Sequence, residues 1–133
     1  MKPLTVRIAI VNEMDIARAI VESRRMCEEL KLGAVVQSRV ATVVSELARN
    51  IIKYADSGHV ALTTLEHDGR SGVEIVAEDR GPGIADIERA MQDHFSSGGT
   101  LGLGLPGARR LMDEFTIEST PGQGTRVTGR KWR

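Results

Sequence analysis

Two hairpin signals constrain the fold of this chain more than any other feature of its sequence. They lie at residues 67–71 (HDGRS) and 121–124 (PGQG). Asp-Gly and Pro-Gly steps favour tight turns, and Asp-Gly is a strong signal for a turn between antiparallel strands. Apolar or alternating segments flank both turns, at residues 59–66, 72–78, 115–120 and 125–131. The sequence therefore predicts two antiparallel strand pairs.

The other periodic segments add one strand and several helices. Residues 4–11 alternate Val6, Ile8 and Ile10 with polar or small neighbours, which indicates a half-buried strand. Helical spacing of apolar residues predicts helices over residues 15–32, with Gly33 as the stop, over 35–54, over 86–93, and from Leu103 or Gly104 to about Glu114. Hairpins joined with helices that must cover one face predict a two-layer α+β sandwich with a mixed, mostly antiparallel sheet.

The composition narrows the class of protein. The 133 residues fit one domain spanning residues 1–133. Lys plus Arg and Asp plus Glu both number 18, so an overall basic footprint for nucleic acid is absent. No apolar run approaches the ~20 residues that cross a bilayer, and the N-terminus lacks the apolar region of a secretory signal. The single cysteine, Cys27, excludes an internal disulfide. We expect a soluble, cytoplasmic protein with no nucleic-acid or membrane partner.

Asp79 is the first candidate for ligand chemistry. It ends an apolar strand and precedes a turn, where its carboxylate can accept a hydrogen bond from an exocyclic amine such as that of adenine. Gly81 and Gly83 follow it and permit close approach of the backbone. The alternative is an acidic residue that merely opens a Pro-Gly turn.

A glycine-rich stretch follows, where a loop is predicted to become a helix. Its candidate ligand groups are the backbone amides of Gly98, Gly99, Gly102, Leu103 and Gly104. Amides in the first turn of a helix lack internal partners and carry partial positive charge, which suits phosphate. The stretch is neither a Walker loop nor a dinucleotide loop, and a plain flexible loop is the alternative.

Glu46 and Asn50 lie one turn apart on the second predicted helix and point the same way. Asn50 offers an oxygen ligand for Mg²⁺, and Glu46 can accept a proton from a hydroxyl nucleophile. A solvated helix face is the alternative for such a pair taken alone. The segment at Asp79 and the glycine-rich stretch favour a functional role for the pair. Together with Glu46 and Asn50 they supply a metal ligand, an acceptor for the edge of a nucleotide base, and amides that can bind phosphate.

In this order, the three segments resemble the ATP-binding domain shared by DNA gyrase B, Hsp90, sensor histidine kinases and MutL, the GHKL or Bergerat fold. The resemblance covers essentially the whole chain. Within that superfamily the chain is similar to the small serine kinases of bacterial partner-switching systems, including the stressosome. The similarity is carried by residues 45–51 (SELARNI), 77–84 (AEDRGPGI), 101–107 (LGLGLPG) and 110–115 (RLMDEF).

The resemblance implies a role for each candidate residue. Asn50 coordinates Mg²⁺, Glu46 is the catalytic base, and Asp79 binds the adenine amine with Gly83 beside it. Gly102, Gly104 and neighbouring amides hold the phosphates of ATP. Thr125 supports Asp79 or adenine, and residues between 84 and 102 form a short lid. That lid lacks Lys and Arg from residue 94 to 105, which leaves Arg49, Lys53 and Arg80 as candidates to balance phosphate charge, with Ser96 and Ser97 as hydrogen-bond donors.

The resemblance also implies partners. The substrate is a serine or threonine on a STAS-domain antagonist protein, and a second partner is a phosphatase that the released kinase activates. A homodimer is possible. The alternative function is an anti-sigma factor or nucleotide-gated binding module with little turnover; Glu46 favours catalysis, because binding alone has little use for a base. A histidine kinase or an ATP-driven clamp is disfavoured, since we see neither a preceding phosphoacceptor helix nor a following transducer domain.

Overall fold

The computed structural model describes residues 2–84, 91 and 104–133. In chain order, their helices and strands are β1 (Thr5–Ile10), α1 (Glu13–Glu29), α2 (Ala34–Ala55), β2 (Gly58–His67), β3 (Arg70–Asp79), α3 (Gly104–Leu111), β4 (Glu114–Thr120) and β5 (Gly124–Trp132). The predicted helix over residues 86–93 lies outside the described residues, apart from Met91. None of the described helices is long and apolar enough to cross a membrane.

The strands form one sheet in the order β1-β2-β3-β5-β4, and each pair of neighbours is antiparallel. Both predicted hairpins are confirmed, since β2 pairs with β3 and β4 with β5. In the second hairpin, Ser119 lies opposite Thr125. This register places the ends of β3, β5 and β4 side by side, with Asp79 opposite Thr125 on its other flank.

Helices α1 and α2 cover one face of the sheet, as predicted. On β3 the alternate residues Val73, Ile75 and Ala77 are buried against them, as the period of two in a strand requires. The fully buried Cys27 belongs to the same core, and burial raises the pKa of its thiol to about 11. The two-layer α+β fold predicted from the sequence is confirmed.

Two helix ends differ from the prediction. Helix α3 ends at Leu111 rather than near Glu114, because the Asp113 backbone amide donates to the Arg130 carbonyl at 2.9 Å and the Asp113 carboxylate accepts from the Trp132 amide at 2.8 Å. These contacts start strand pairing where the helix was expected to continue. After α1, the left-handed residue is Lys31 (φ 57°), not Gly33, which has φ −64° and directly precedes α2.

Replacement of Ile75 by alanine tests the assignment of the core. Ile75 is fully buried on the central strand between Leu62 and Gly129, so we expect I75A to lower the free energy of unfolding by about 2–5 kcal/mol. Urea denaturation followed by circular dichroism measures this. Val35, which is 64% exposed, provides the control: V35A should change stability by less than about 0.5 kcal/mol. Equal effects of the two variants would contradict the assignment.

Candidate functional site

Helix α2 carries two of the predicted site residues, Glu46 and Asn50. Its apolar stripe, which includes Val43, Leu47 and Ile51, packs into the core. Glu46 lies beside this stripe and is only 8% exposed, whereas Asn50, one turn further on, is half-buried. The two side chains therefore follow one another along the border between core and surface, as their spacing predicted.

The structure brings Glu46 together with the N-terminus of α3. The Glu46 Oε2 atom accepts a hydrogen bond from the Gly104 backbone amide at 3.3 Å. Gly104 is the first residue of α3 and has φ +65°, a conformation that glycine adopts without steric cost. A carboxylate at a helix N-terminus is favoured by the partial positive charge of the free amides. Two residues predicted separately, a base and a phosphate-binding amide, thus lie in direct contact.

A second group of polar side chains lies at the end of the sheet. Asp79 is the last residue of β3, and its Oδ1 atom accepts from the Gly81 amide at 2.9 Å. Thr125 is its register partner on β5, on the face of the sheet that the helices cover. On the other flank the partner is Gly58, where a Cβ would lie 3.1 Å from the Asp79 Cβ and 3.0 Å from Cγ2 of Ile51. Because the Glu78 carbonyl oxygen would lie only 2.4 Å from such a Cβ, a side chain at residue 58 has no room beside Asp79.

Ser119 belongs to this group, although the sequence analysis did not single it out. Its Oγ atom accepts from the Ile84 amide at 2.6 Å, donates to the Gly124 carbonyl at 3.1 Å and lies 3.0 Å from Thr125 Oγ1. The signal that could have found it is the register of the predicted hairpin, because a turn at residues 121–124 places residue 119 opposite residue 125.

The predicted glycines pack tightly against protein groups. A Cβ on Gly81 would lie 2.6 Å from the Cβ of Ala55, at the end of α2. Gly83 has φ +77°, and a Cβ there would lie 2.5 Å from the Thr120 carbonyl oxygen. The Gly122 amide donates to the Pro82 carbonyl at 2.8 Å and holds the same loop from its other side. The loop after Asp79 is therefore wedged between α2 and the β4–β5 turn.

Helix α2 connects the two groups. Glu46 contacts α3, and Ala55, at the end of the same helix, contacts Gly81 beside Asp79. Nine residues of helix span about 13 Å at 1.5 Å per residue. Asn50 lies between these two points. The candidate site is thus elongated. Asp79 and Thr125 lie at the end of the sheet, and Glu46 and the N-terminus of α3 lie at the opposite end of the site.

Several predictions concern residues outside those described. Gly98, Gly99, Gly102 and Leu103, the proposed phosphate-binding amides, lie there, as does the cation-poor lid. Of the cations suggested for phosphate charge, Arg49 and Arg80 are exposed, and the Lys53 ammonium lies 5.0 Å from the centre of the Tyr54 ring. Lys53 follows Asn50 by three residues, so these side chains share one side of α2.

Comparison with known proteins places these features in context. Residues 35–131 match the family described as histidine kinase-, DNA gyrase B-, and HSP90-like ATPase. The chain is 46% identical over 94% of its length to the serine/threonine-protein kinase RsbT of Bacillus subtilis, of which it covers 94%. It is 34% identical over 70% of its length to the anti-sigma F factor of Caldanaerobacter subterraneus, of which it covers 68%.

Solved structures agree on the fold. All of the chain superimposes on 33% of a structure that contains the RsbU and RsbW domains of Rv1364c from Mycobacterium tuberculosis, with a TM-score of 0.65 and 17% identity. The fold class and the family resemblance predicted from the sequence are confirmed.

Replacement of Gly83 by alanine tests how the loop after Asp79 is held. Gly83 and Gly122 have nearly the same backbone angle, φ +77° and +78°, but a Cβ on Gly122 has nothing within 4 Å. Alanine at either position must adopt a left-handed backbone conformation, which costs roughly 1–2 kcal/mol. Only G83A adds a steric clash with Thr120. We expect G83A to lower the melting temperature and nucleotide affinity more than G122A does. Equal losses would show that the loop is not packed as described.

Proposed function

This chain belongs to the histidine kinase-, DNA gyrase B-, and HSP90-like ATPase family, and we propose that it phosphorylates a STAS-domain antagonist protein with ATP and Mg²⁺. The family uses nucleotides, and 46% identity to a serine/threonine-protein kinase over 94% of both chains supports the predicted enzyme class. The observation that carries the proposal is the position of Glu46. It is a nearly buried carboxylate held at the N-terminus of α3. The side-chain amide oxygen of Asn50, a suitable metal ligand, lies one helical turn away.

Asp79 would bind the adenine end of ATP. Its Oδ1 atom accepts from Gly81. A carboxylate has further lone pairs, and the 6-amino group of adenine is a suitable donor to them. Thr125 would support this contact from the neighbouring strand. Gly81 and Gly83 keep the loop close to Asp79 through their packing against Ala55 and Thr120.

Asn50 would hold Mg²⁺. Within residues 2–84, 91 and 104–133, no three His, Cys, Asp or Glu side chains form a group that could hold a metal ion. A single amide oxygen suits Mg²⁺, which commonly takes one or two protein ligands and otherwise phosphate and water oxygens. When bound, Mg²⁺ supplies neutralisation of the charge on the transferred phosphate. Gly98, Gly99, Gly102 and Leu103 would hold the phosphates through their amides, whereas the predicted fifth amide, that of Gly104, donates a hydrogen bond to Glu46.

Glu46 would act as the general base. Its carboxylate accepts the proton of the attacking serine or threonine hydroxyl while the hydroxyl oxygen bonds to the γ-phosphorus and ADP leaves. The Gly104 amide holds one carboxylate oxygen, Oε2, at the N-terminus of α3.

The partners follow from the resemblance to partner-switching kinases. An RsbS-like STAS-domain antagonist would be both the substrate and the sequestering partner, and phosphorylation would release this chain to bind and activate an RsbU-like phosphatase. A homodimer remains part of the proposal. The second candidate function is that of an anti-sigma factor or nucleotide-gated binding module, which the 34% identity to an anti-sigma F factor favours.

Replacement of Glu46 by glutamine separates the two functions. E46Q keeps the shape of the side chain and an oxygen that can accept from Gly104, but removes the base, so we expect ATP binding to persist and phosphate transfer to fall by about 10²–10⁴-fold. The reaction contains ATP, Mg²⁺ and candidate STAS-domain proteins, and mass spectrometry detects phosphoserine or phosphothreonine. E29Q, at an exposed position on α1, is the matched control. A wild type that forms stable complexes without transfer would favour the binding module, and transfer by E46Q at the wild-type rate would remove Glu46 from the role of base.

Replacement of Asp79 by asparagine tests the adenine site. The asparagine oxygen can still accept from Gly81, but its NH₂ group then faces the donor edge of the ligand. We expect the Kd for ATP to rise about tenfold or more, measured by titration calorimetry. D68N makes the same change at the exposed, left-handed tip of the β2–β3 hairpin, where asparagine is tolerated. Unchanged affinity in D79N would exclude Asp79 from the site.

A further inference from the structure

The outer face of α1 carries exposed apolar side chains at a regular spacing. The inner face of the helix, which includes Ile16, Ala19 and Met26, is buried in the core. On the opposite face, Met14 and Val21 are 77% and 54% exposed. They lie about two helical turns apart, so both project from the same side of the helix. Two aligned apolar residues are a different signal from exposed residues scattered singly over a surface.

Two arginines complete this row. Arg18 lies between Met14 and Val21, and Arg25 follows Val21 by one turn, so the four residues succeed one another in steps of four, three and four. Alternating steps of three and four are those of the contact line between two packed helices. We call Met14, Arg18, Val21 and Arg25 the outer stripe.

The arginines of the outer stripe turn their charge outward. Arg18 pairs with Asp15 at 3.5 Å. Arg25 pairs with Glu22 at 3.3 Å. In each pair the arginine side chain is the exposed member, at 69% and 62%, against 15% for Asp15 and 28% for Glu22. Because exposed pairs contribute little to stability and a guanidinium has five N–H donors, both arginines have capacity for a further carboxylate.

The outer stripe lies apart from the candidate site. Helix α1 packs on β1 and α2, and α2 in turn packs on α3. Glu46, on α2, contacts the N-terminus of α3. The outer stripe faces away from the buried side of α1, so a partner bound there is separated from the contact between Glu46 and α3 by α1 itself.

Charge decides which occupant fits the outer stripe. A second copy of this chain would bring its own Arg18 and Arg25 against those of the first, and like charges disfavour that pairing. An anionic membrane suits a helix with a broad apolar face and aromatic or leucine anchors. The outer stripe has neither, and exposed glutamates lie at both ends of α1, at Glu13 and Glu29. A partner helix that alternates apolar and acidic residues matches both components of the stripe.

We propose that the outer stripe docks an acidic amphipathic helix of a partner protein. The apolar residues of that helix pack on Met14 and Val21, and its carboxylates pair with Arg18 and Arg25. Amphipathic helices bind through residues spaced three, four and seven apart, which is the spacing on α1. The contact does not require phosphate transfer at Glu46.

Photocross-linking identifies the occupant. Met14 or Val21 is replaced by benzoylphenylalanine in the full chain, in the cells that produce it naturally, and mass spectrometry sequences the attached peptide. We expect both positions to attach to one segment of another protein, with apolar residues at helical spacing and acidic residues between them. Glu118, exposed on β4 at the sheet edge opposite β1, is the control position and should not attach to that segment. Attachment to this chain itself, to lipid or to no single segment would overturn the proposal.

A charge exchange tests the pairing of charges. The probe is the cross-linked segment, synthesised as a peptide. We expect R18E/R25E to raise the Kd of this peptide about tenfold or more, because like charges then face each other. Lysine in place of the facing acidic residues of the peptide should restore its binding to R18E/R25E and weaken its binding to the wild type. R109E, which reverses an exposed arginine on α3, is the matched control and should bind the original peptide as the wild type does.

Melting temperatures show whether each variant is folded. If R18E/R25E is not, R18Q/R25Q and M14S decide, since the first removes only the charge and the second only the apolar contact. The proposal requires weaker peptide binding in both, and a Kd that falls toward the wild-type value in neither. A peptide that binds these variants as tightly as it binds the wild type, or that binds none of them, would show that the outer stripe is a solvated helix face.

Discussion

Burial of the apolar stripe of α2 against the sheet is the constraint on which both ends of the site depend. Val43, Leu47 and Ile51 lie in the core, so the helix cannot rotate or slide without exposing them to water, at about 1.5–3 kcal/mol for each side chain. The same packing fixes Glu46 under the start of α3 and Ala55 against Gly81. Residues with no shared contact are thereby held at a fixed separation, which an elongated ligand needs.

Local patterns predicted the parts of the molecule that local physics determines. The hairpins and the Glu46–Asn50 spacing depend on residues a few positions apart, and the structure reproduces them. The end of α3 was predicted wrongly, because it depends on residues that are distant in the sequence. Asp113 bonds to the backbone of Arg130 and Trp132 instead of continuing the helix. Helix propensity is a weak preference, and strand pairing overrides it here.

The candidate site divides in the same way. Asp79 was recognisable as a strand-end carboxylate. Ser119 lies on β4, which β5 separates from β3, so its place near Asp79 depends on the register of both strand pairs. Gly81 and Gly83 were expected to admit a ligand closely, whereas their described contacts are with Ala55 and Thr120. A sequence shows that a glycine is needed; which neighbour requires it emerges only from the packed structure.

The two ends of the site also differ in charge, and this difference gives the proposed nucleotide one acceptable orientation. The sheet end combines the Asp79 carboxylate with the C-terminal end of α2, which carries partial negative charge. Phosphates placed there would face like charge on two sides. At the other end, the α3 N-terminus offsets the charge of Glu46, and the Asn50 amide oxygen suits a cation. The edge of adenine can donate hydrogen bonds and a triphosphate cannot. In the proposed function, adenine would therefore lie at Asp79 and the phosphates toward α3, so that the reacting phosphate would lie at the end of the site that holds the nearly buried Glu46 carboxylate.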